Sequence, residues 1–144
     1  MTLTFWDSSG LLKLLVEEPG TDIAVPLWDE ATAVAVSRLA VPEVHAALAA
    51  ALRIGRIDAD RRRAAASEWR RYLAAVDVVE LTPTVGDHAA DLAAAHPLSG
   101  ADAVQLASAL ALASGTGAVI LATWDRRLAS AAWAEGLNVV PALE

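Results

Sequence analysis

Four acidic residues each stand where a predicted strand ends or a predicted helix begins. They are Asp7 in TFWDSSGLL, Glu43 in SRLAVPEVHAAL, Asp102 in SGADAVQLASAL and Asp125 in LATWDRRLASAA. Carboxylates spread over a whole chain can meet only where the fold brings element ends together, and they then repel one another unless a cation neutralises them. Clustered carboxylates suit hard divalent cations such as Mg²⁺ or Mn²⁺. The pattern therefore predicts a metal-dependent enzyme.

Each acid also has a purely structural explanation. Asp7 and Asp125 could be helix N-caps, Asp102 follows Ser99 at the spacing of a capping box, and Glu43 could favour the dipole of a first helical turn. However, two of the acids lie in apolar surroundings, where a charge is expensive without a partner. None of Asp7, Glu43 and Asp102 has a neighbouring lysine or arginine in the sequence. A bound metal ion would supply the missing partner.

Several other catalytic chemistries are excluded or disfavoured by composition. The chain has no cysteine, which excludes disulfide scaffolds, thiolate zinc sites, iron–sulfur clusters and cysteine nucleophiles. Its three histidines lack the spacing of a helical metal-binding pair. Ser8 and Ser9 have no evident serine–histidine–aspartate context, so we expect them to act as caps or supporting hydrogen-bond donors.

The distribution of charge leaves two interpretations open. A formal net charge of −7 is unfavourable for long-range attraction to nucleic acid. Seven of the eleven basic residues nevertheless fall in one segment, namely Arg53, Arg56, Arg61, Arg62, Arg63, Arg70 and Arg71. This segment is either a solvated helix face with intrahelical ion pairs or a surface for nucleic acid or an acidic partner.

Neither a signal peptide nor a membrane span is predicted. The N-terminal stretch MTLTFWDSSG has no basic region and reaches an acid at Asp7. The uncharged stretch 103–124 is interrupted by Gln105 and by Gly115-Thr116-Gly117, which indicates a helix, a turn and a buried strand. We therefore expect a cytoplasmic protein without membrane contact. With 144 residues and no repeat or long linker, we expect one domain over 1–144.

Strands and helices are predicted to alternate along the chain. The predicted strands cover 2–6, 33–36, 77–81, 118–123 and 137–140. The predicted helices cover approximately 8–16, 21–30, 37–52, 58–75, 82–96, 99–114 and 125–135. Such βα alternation favours an open parallel sheet flanked by helices, with ligands beyond the carboxyl ends of the strands. Asp7 and Asp125 are predicted to lie at those ends.

Four segments, in order along nearly the whole chain, resemble the motifs of the PIN-domain family, specifically the VapC-like toxin ribonucleases of bacterial toxin–antitoxin pairs. These segments are the strand ending at Asp7 with Ser8-Ser9, Ser37-Arg38-Leu39 with Glu43, Asp102-Ala103 with Gln105-Leu106-Ala107, and Thr123-Trp124-Asp125-Arg126-Arg127-Leu128.

The resemblance implies a PIN-like three-layer α/β/α sandwich with a central, mostly parallel sheet flanked by helices. It implies that Asp7, Glu43, Asp102 and Asp125 are the catalytic and metal-binding residues, with Thr123 and Ser8 in support. The expected chemistry is Mg²⁺- or Mn²⁺-dependent hydrolysis of RNA phosphodiesters by an endoribonuclease toxin. The expected partners are a VapB-like antitoxin, an RNA substrate and a second copy of the chain in a homodimer.

Two alternatives use the same residues differently. A catalytically idle PIN-like module could bind RNA or an antitoxin without cleaving RNA. A phosphoacceptor receiver domain also places acids at strand ends, but it requires paired acids near the N-terminus and a late lysine. The only lysine here is Lys13, which disfavours the receiver domain.

Overall fold

The computed structural model describes residues 2–143 and contains five strands and seven helices in that range. The strands are β1 (Leu3–Trp6), β2 (Ala33–Ser37), β3 (Asp77–Val79), β4 (Ile120–Ala122) and β5 (Asn138–Val140). The helices are α1 (Ser8–Leu15), α2 (Thr21–Glu30), α3 (Ala40–Arg53), α4 (Ala59–Ala75), α5 (Pro83–Ala95), α6 (Gly100–Thr116) and α7 (Arg126–Ala134).

The five strands form one parallel sheet with β1 at its centre. Their order is β3-β2-β1-β4-β5, and Trp6 of β1 lies opposite Val36 of β2 and Ala122 of β4. The chain moves outward from β1 through β2 to β3, and then crosses to β4 on the other side of β1. This reversal creates a crevice at the carboxyl ends of β1 and β4, which is the usual ligand position in such sheets.

Two apolar cores lie on opposite faces of the sheet. Phe5 and Leu121 point into the core that contains α5, α6 and α7, whereas Trp6 and Ala122 point into the core that contains α1 to α4. Adjacent strand residues point to opposite faces because the side-chain period of a strand is two. The predicted three-layer α/β/α sandwich is therefore confirmed.

The start of α3 differs from the prediction of a helix over 37–52. Ser37 ends β2, and its hydroxyl accepts a hydrogen bond from the Leu39 backbone N–H at 3.1 Å, so the helix begins only at Ala40. Pro42 is the third helical residue. A backbone N–H in this first turn has no helical acceptor, so proline fits there without breaking a helical bond.

The strands β3 and β4 are shorter in the structure than predicted, because each includes only residues that pair with a neighbouring strand. The strand predicted over 77–81 ends at Val79, and the strand predicted over 118–123 covers only Ile120–Ala122. Val79 pairs with Ser37, the last residue of β2, so the ladder ends there. Apolar residues extend past the ends of these strands in the sequence, whereas the length of each strand is limited by the neighbouring strand with which it pairs.

The uncharged stretch 103–124 consists of most of α6, a turn and β4, as predicted. Within residues 2–143, no helix is both long enough and apolar enough to cross a bilayer.

The basic segment makes ion pairs within α4 and to a neighbouring loop. Arg61 pairs with Glu68 at 3.4 Å and Arg63 pairs with Asp60, both inside the helix. Arg56 reaches Glu18, which also binds Lys13. These contacts support the interpretation of a solvated helix face for this part of the segment.

Candidate active site

Asp7 occupies the end of β1 and caps α1 at the same time. One of its oxygens accepts a hydrogen bond from the Gly10 backbone N–H at 3.0 Å. The Ser9 hydroxyl donates to both carboxylate oxygens, at 2.7 and 2.9 Å, and the Thr123 hydroxyl donates to Oδ2 at 2.7 Å. The side chain is only 3% exposed. Asp7 is thus a helix cap and also a buried acid.

Burial dominates the electrostatics of Asp7. It raises the pKa of the carboxyl from 3.8 to about 6, although the hydrogen bonds from Thr123, Gly10 and Ser9 act in the opposite direction. The charge of Asp125 raises the pKa further. Hydrogen bonds to a carboxylate stabilise its charged form, but here they do not offset the loss of hydration. A nearby cation would favour the ionised form.

Thr123 connects Asp7 to Asp125. Its hydroxyl donates to Asp7 and accepts a hydrogen bond from the Asp125 backbone N–H at 3.1 Å. Asp125 is the N-cap of α7, where its carboxylate accepts from the Leu128 N–H at 2.9 Å. One buried hydroxyl after β4 therefore orients two of the four acids.

Glu43 and Asp102 are presented by the first turns of α3 and α6. The Gln105 amide donates to Glu43 Oε1 at 2.7 Å, and the Ser99 hydroxyl accepts from the Asp102 backbone N–H at 3.1 Å. Burial raises the pKa of Glu43, and the charge of Asp102 raises it further. Burial also raises the pKa of Asp102, with a second contribution from Asp125.

The four predicted acids therefore form a series of mutually repelling neighbours. Asp7 is affected by Asp125, Asp125 affects Asp102, and Asp102 affects Glu43. Among the described residues, every ion pair lies elsewhere and none involves one of these four side chains. Negative charge is thus concentrated at the sheet crevice, and no cationic side chain in the described part of the chain forms an ion pair with it.

The donors of this site fit a hard divalent cation by their chemistry. Mg²⁺ and Mn²⁺ prefer carboxylate oxygens, and such an ion would offset both the loss of hydration and the mutual repulsion of these acids. Within 2–143, however, no three acidic, histidine or cysteine side chains are already grouped closely enough to hold a metal ion. An ion would have to draw the carboxylates together.

The structure identifies Ser9, rather than Ser8, as the serine that contacts Asp7. The Ser9 hydroxyl also lies 3.3 Å from the Thr123 hydroxyl and accepts a hydrogen bond from the Trp124 N–H at 3.0 Å. The side chain of Ser8 takes part in none of the hydrogen bonds found among residues 2–143, so its supporting role stays a prediction. Both serines follow Asp7 in sequence, and only the direction of the first turn of α1 distinguishes them.

Trp124 packs against the loop between α1 and α2. Its ring lies under the Lys13 ammonium, 5.8 Å from the ring centroid. Gly20, with a φ of +103°, lies so close that a Cβ there would stand 2.6 Å from the indole nitrogen. The glycine therefore makes room for the large residue that precedes Asp125.

A cleft of about 630 Å³ opens beside Asp125. Its walls come from α7, from Trp124 and from the C-terminal segment, and include Ile23, Arg126, Ala129, Ser130 and Leu143. Arg126 also lines the cleft, but among the described residues its guanidinium forms no ion pair with any of the four acids. The cleft borders two of the predicted site residues, Thr123 and Asp125.

Comparisons with known proteins agree with this architecture. A family model described as PIN domain matches residues 4–134. The chain is 49% identical over 142 residues to Ribonuclease VapC45 of Mycobacterium tuberculosis. This alignment covers 99% of this chain and 97% of that protein.

Two solved structures share the fold. VapC20 of Mycobacterium tuberculosis, a Sarcin-Ricin loop cleaving toxin, matches with a TM-score of 0.66 and 21% identity over 89% of this chain and 94% of that chain. A toxin–antitoxin complex from Klebsiella pneumoniae matches with a TM-score of 0.64 and 16% identity over 88% and 90% of the two chains. The family match over most of the chain and the near-complete alignment with VapC45 leave no place for the receiver-domain alternative, and the protein belongs to the PIN-domain family as a VapC-like member.

Proposed function

We propose that this protein is a metal-dependent endoribonuclease toxin of a toxin–antitoxin pair. The observation that carries the proposal is the series of four carboxylates at the crevice of the sheet, none of which has a cationic partner among the described residues. The ribonuclease name of the 49% identical relative supports RNA as the substrate. A cytoplasmic location remains part of the prediction from sequence.

The roles proposed for the four acids are those of metal ligands and of groups that orient water. Asp7 and Asp102 are the principal ligands, and Glu43 and Asp125 serve a second ion or orient the attacking water. A bound divalent cation would supply an activated water and stabilise the charge that develops on the phosphate. Thr123 would keep Asp7 oriented through its hydrogen bond of 2.7 Å. Because the ribose 2′-hydroxyl need not take part, the products would carry 5′-phosphate and 3′-hydroxyl ends.

The proposed protein partners are a VapB-like antitoxin and a second copy of the chain. The antitoxin would lie along the cleft beside Asp125 and could place an arginine among the carboxylates, where opposite charges favour binding. The relative solved as a toxin–antitoxin complex agrees with this type of partner. Val25, exposed on α2, is a candidate for the homodimer surface near the N-terminus.

Cleavage of total cellular RNA by the purified, antitoxin-free protein tests the proposal. The reaction is run with Mg²⁺, with Mn²⁺ and with EDTA, beside the variants Asp7→Asn and Asp91→Asn. Asp91 is an exposed acid on α5 and serves as the matched control. We expect discrete fragments from the wild type and from Asp91→Asn only when metal is present. Cleavage that persists in EDTA, or in Asp7→Asn, would contradict the proposed mechanism.

A catalytically idle PIN-like module that binds RNA or an antitoxin is the second candidate. It is favoured by the absence, within residues 2–143, of three acids already grouped for metal binding. A measurement of Mn²⁺ affinity separates the two functions. Binding that requires Asp7 supports the nuclease, whereas absence of both binding and cleavage supports the idle module.

A further inference from the structure

Gln105 is a buried polar residue next to the acids that the proposed roles do not use. It lies three residues after Asp102 on α6, so the two side chains share one face of the helix. Gln105 is only 1% exposed. A long amide in this position has to be paired, because burial of an unpaired polar group is unfavourable.

Only one end of this amide is paired. Its NH₂ group donates to Glu43 Oε1 at 2.7 Å, across 62 positions of sequence. Its carbonyl Oε1 is buried, and it has no hydrogen-bond partner among the described residues. A methionine of similar length would fill the same space without an orphan acceptor. The unpaired carbonyl is unfavourable, and the hydrogen bond from the NH₂ group to Glu43 is the one contact that the amide makes here and a methionine would not.

The contact fixes a side chain that would otherwise be free to move away. Gln105 is the only hydrogen-bond donor found for the Glu43 carboxylate within residues 2–143. Glutamate has several rotatable bonds, and the neighbouring charge of Asp102 repels it. An ionised carboxylate only accepts hydrogen bonds, which orients the amide with its NH₂ towards Glu43. The donor therefore opposes the repulsion and links α3 to α6.

We infer that Gln105 is a positioning residue that holds the Glu43 carboxylate beside Asp102, in an orientation that lets Glu43 contribute to divalent-cation binding at the site. The inference rests on the proposed metal-dependent function. A hydrogen-bonding neighbour of this kind orients a ligand before the ion arrives, and its loss typically lowers metal affinity about 10- to 100-fold.

The test compares Mn²⁺ affinity, measured by titration calorimetry, with thermal stability in EDTA. The variants are Gln105→Met, which removes the donor at similar size, Glu43→Gln, and the double variant. We expect Gln105→Met to weaken Mn²⁺ binding about 10- to 100-fold while its melting temperature is unchanged or higher. In the Glu43→Gln background, the same substitution should leave Mn²⁺ affinity unchanged. Cleavage by Gln105→Met should recover at high Mn²⁺ concentration with an unchanged KM for RNA.

Ser108→Ala is the matched control. Ser108 is a fully buried polar residue on the same helix, but its hydroxyl donates to the Val104 carbonyl at 2.7 Å within α6. We expect Mn²⁺ affinity to be unaffected by its loss. Gln105→Leu is made in parallel, so that the comparison survives if methionine is poorly accommodated.

The outcomes separate this inference from the proposed function. If the wild type does not bind Mn²⁺, the metal-dependent function is wrong and the inference falls with it. If the wild type binds Mn²⁺ and Gln105→Met binds it equally well, only the inference is overturned. Parallel losses of stability and affinity, or an equal loss with and without Glu43, would mean that Gln105 acts through the fold in general.

Discussion

Ionised Asp7 should destabilise the metal-free protein, so Asp7→Asn should be more stable than the wild type at neutral pH. Burial raises the pKa of Asp7 from 3.8 to about 6, which corresponds to about 3 kcal/mol. The side chain is 3% exposed, so solvent screening does not reduce this value substantially. We therefore expect the ionised Asp7 side chain to lower the free energy of unfolding by a considerable fraction of its total for a domain of this size.

The direction of the pH dependence follows from proton binding. Below the unfolded pKa of 3.8, Asp7 is protonated in both states and contributes nothing. Between pH 3.8 and about 6, the folded protein binds the proton more strongly than the unfolded chain does, so the free energy of unfolding falls as pH rises. Above about pH 6 the whole loss is present. Asparagine cannot ionise and lacks this contribution.

The assay is urea unfolding in EDTA at pH 5, 6, 7 and 8. From pH 5 to pH 8, the wild type should lose about 1.5 kcal/mol more than Asp7→Asn. At pH 8 the variant should be more stable by up to about 3 kcal/mol. The raised pKa values of Glu43 and Asp102 act in the same direction but are common to both proteins. Asp91→Asn should follow the wild type, and parallel pH profiles for the wild type and Asp7→Asn would refute the reasoning.

Three further perturbations test the packing and chemistry around the site. Gly10→Ala should lower the free energy of unfolding by about 1–3 kcal/mol, because its Cβ would stand 2.9 Å from the Ala122 carbonyl oxygen. Gly86→Ala on α5 is the control: its Cβ would meet nothing within 4 Å, so this variant should raise the free energy of unfolding by about 0.4–1 kcal/mol. Equal effects of the two substitutions in urea unfolding would contradict the close approach at Gly10. Thr123→Val should cost about 1.5–3 kcal/mol at pH 8 and less at pH 5, since it removes a hydrogen bond to the Asp7 carboxylate, whereas Thr123→Ser should retain most of the stability in the same assay. Mn²⁺ at about 100 times its Kd should raise the wild-type Tm by about 8 °C in calorimetry, and an equal rise in Asp7→Asn would show that binding does not involve this acid.

Local sequence signals predict much of the framework around the site. The strand before Asp7 and the helices predicted over 82–96 and 99–114 depend on short-range preferences, and the structure confirms all three elements, with Thr82 and Ser99 as the N-caps of the two helices. The parallel sheet also follows from the alternation of strands and helices. These features are readable because each depends on a few consecutive residues.

The contacts that orient the acids are not readable in the same way. The Gln105–Glu43 hydrogen bond joins two helices, and the Thr123–Asp7 bond joins the ends of two strands. The close approach of Gly10 to β4 depends on the same tertiary arrangement. The sequence does not predict the late start of α3, because the Ser37 hydroxyl accepts a hydrogen bond from the following turn while Ser37 itself still belongs to β2. The three tertiary contacts join residues distant in sequence, and the strand that ends at Ser37 is likewise fixed by its pairing with β3.

The central position of β1 has a consequence for the folding of the enzyme. Thr4 pairs with Val34 on one side but with Ile120 on the other, so the second pairing closes a much longer loop. Long-range parallel pairing is slow because its loop entropy is lost before its contacts form. We expect a refolding chain to form the β1–β2 pair before β4 docks, and nuclease activity to appear only with this last step. Activity that appeared before protection of the β4 amides in a hydrogen-exchange experiment would contradict this order of assembly.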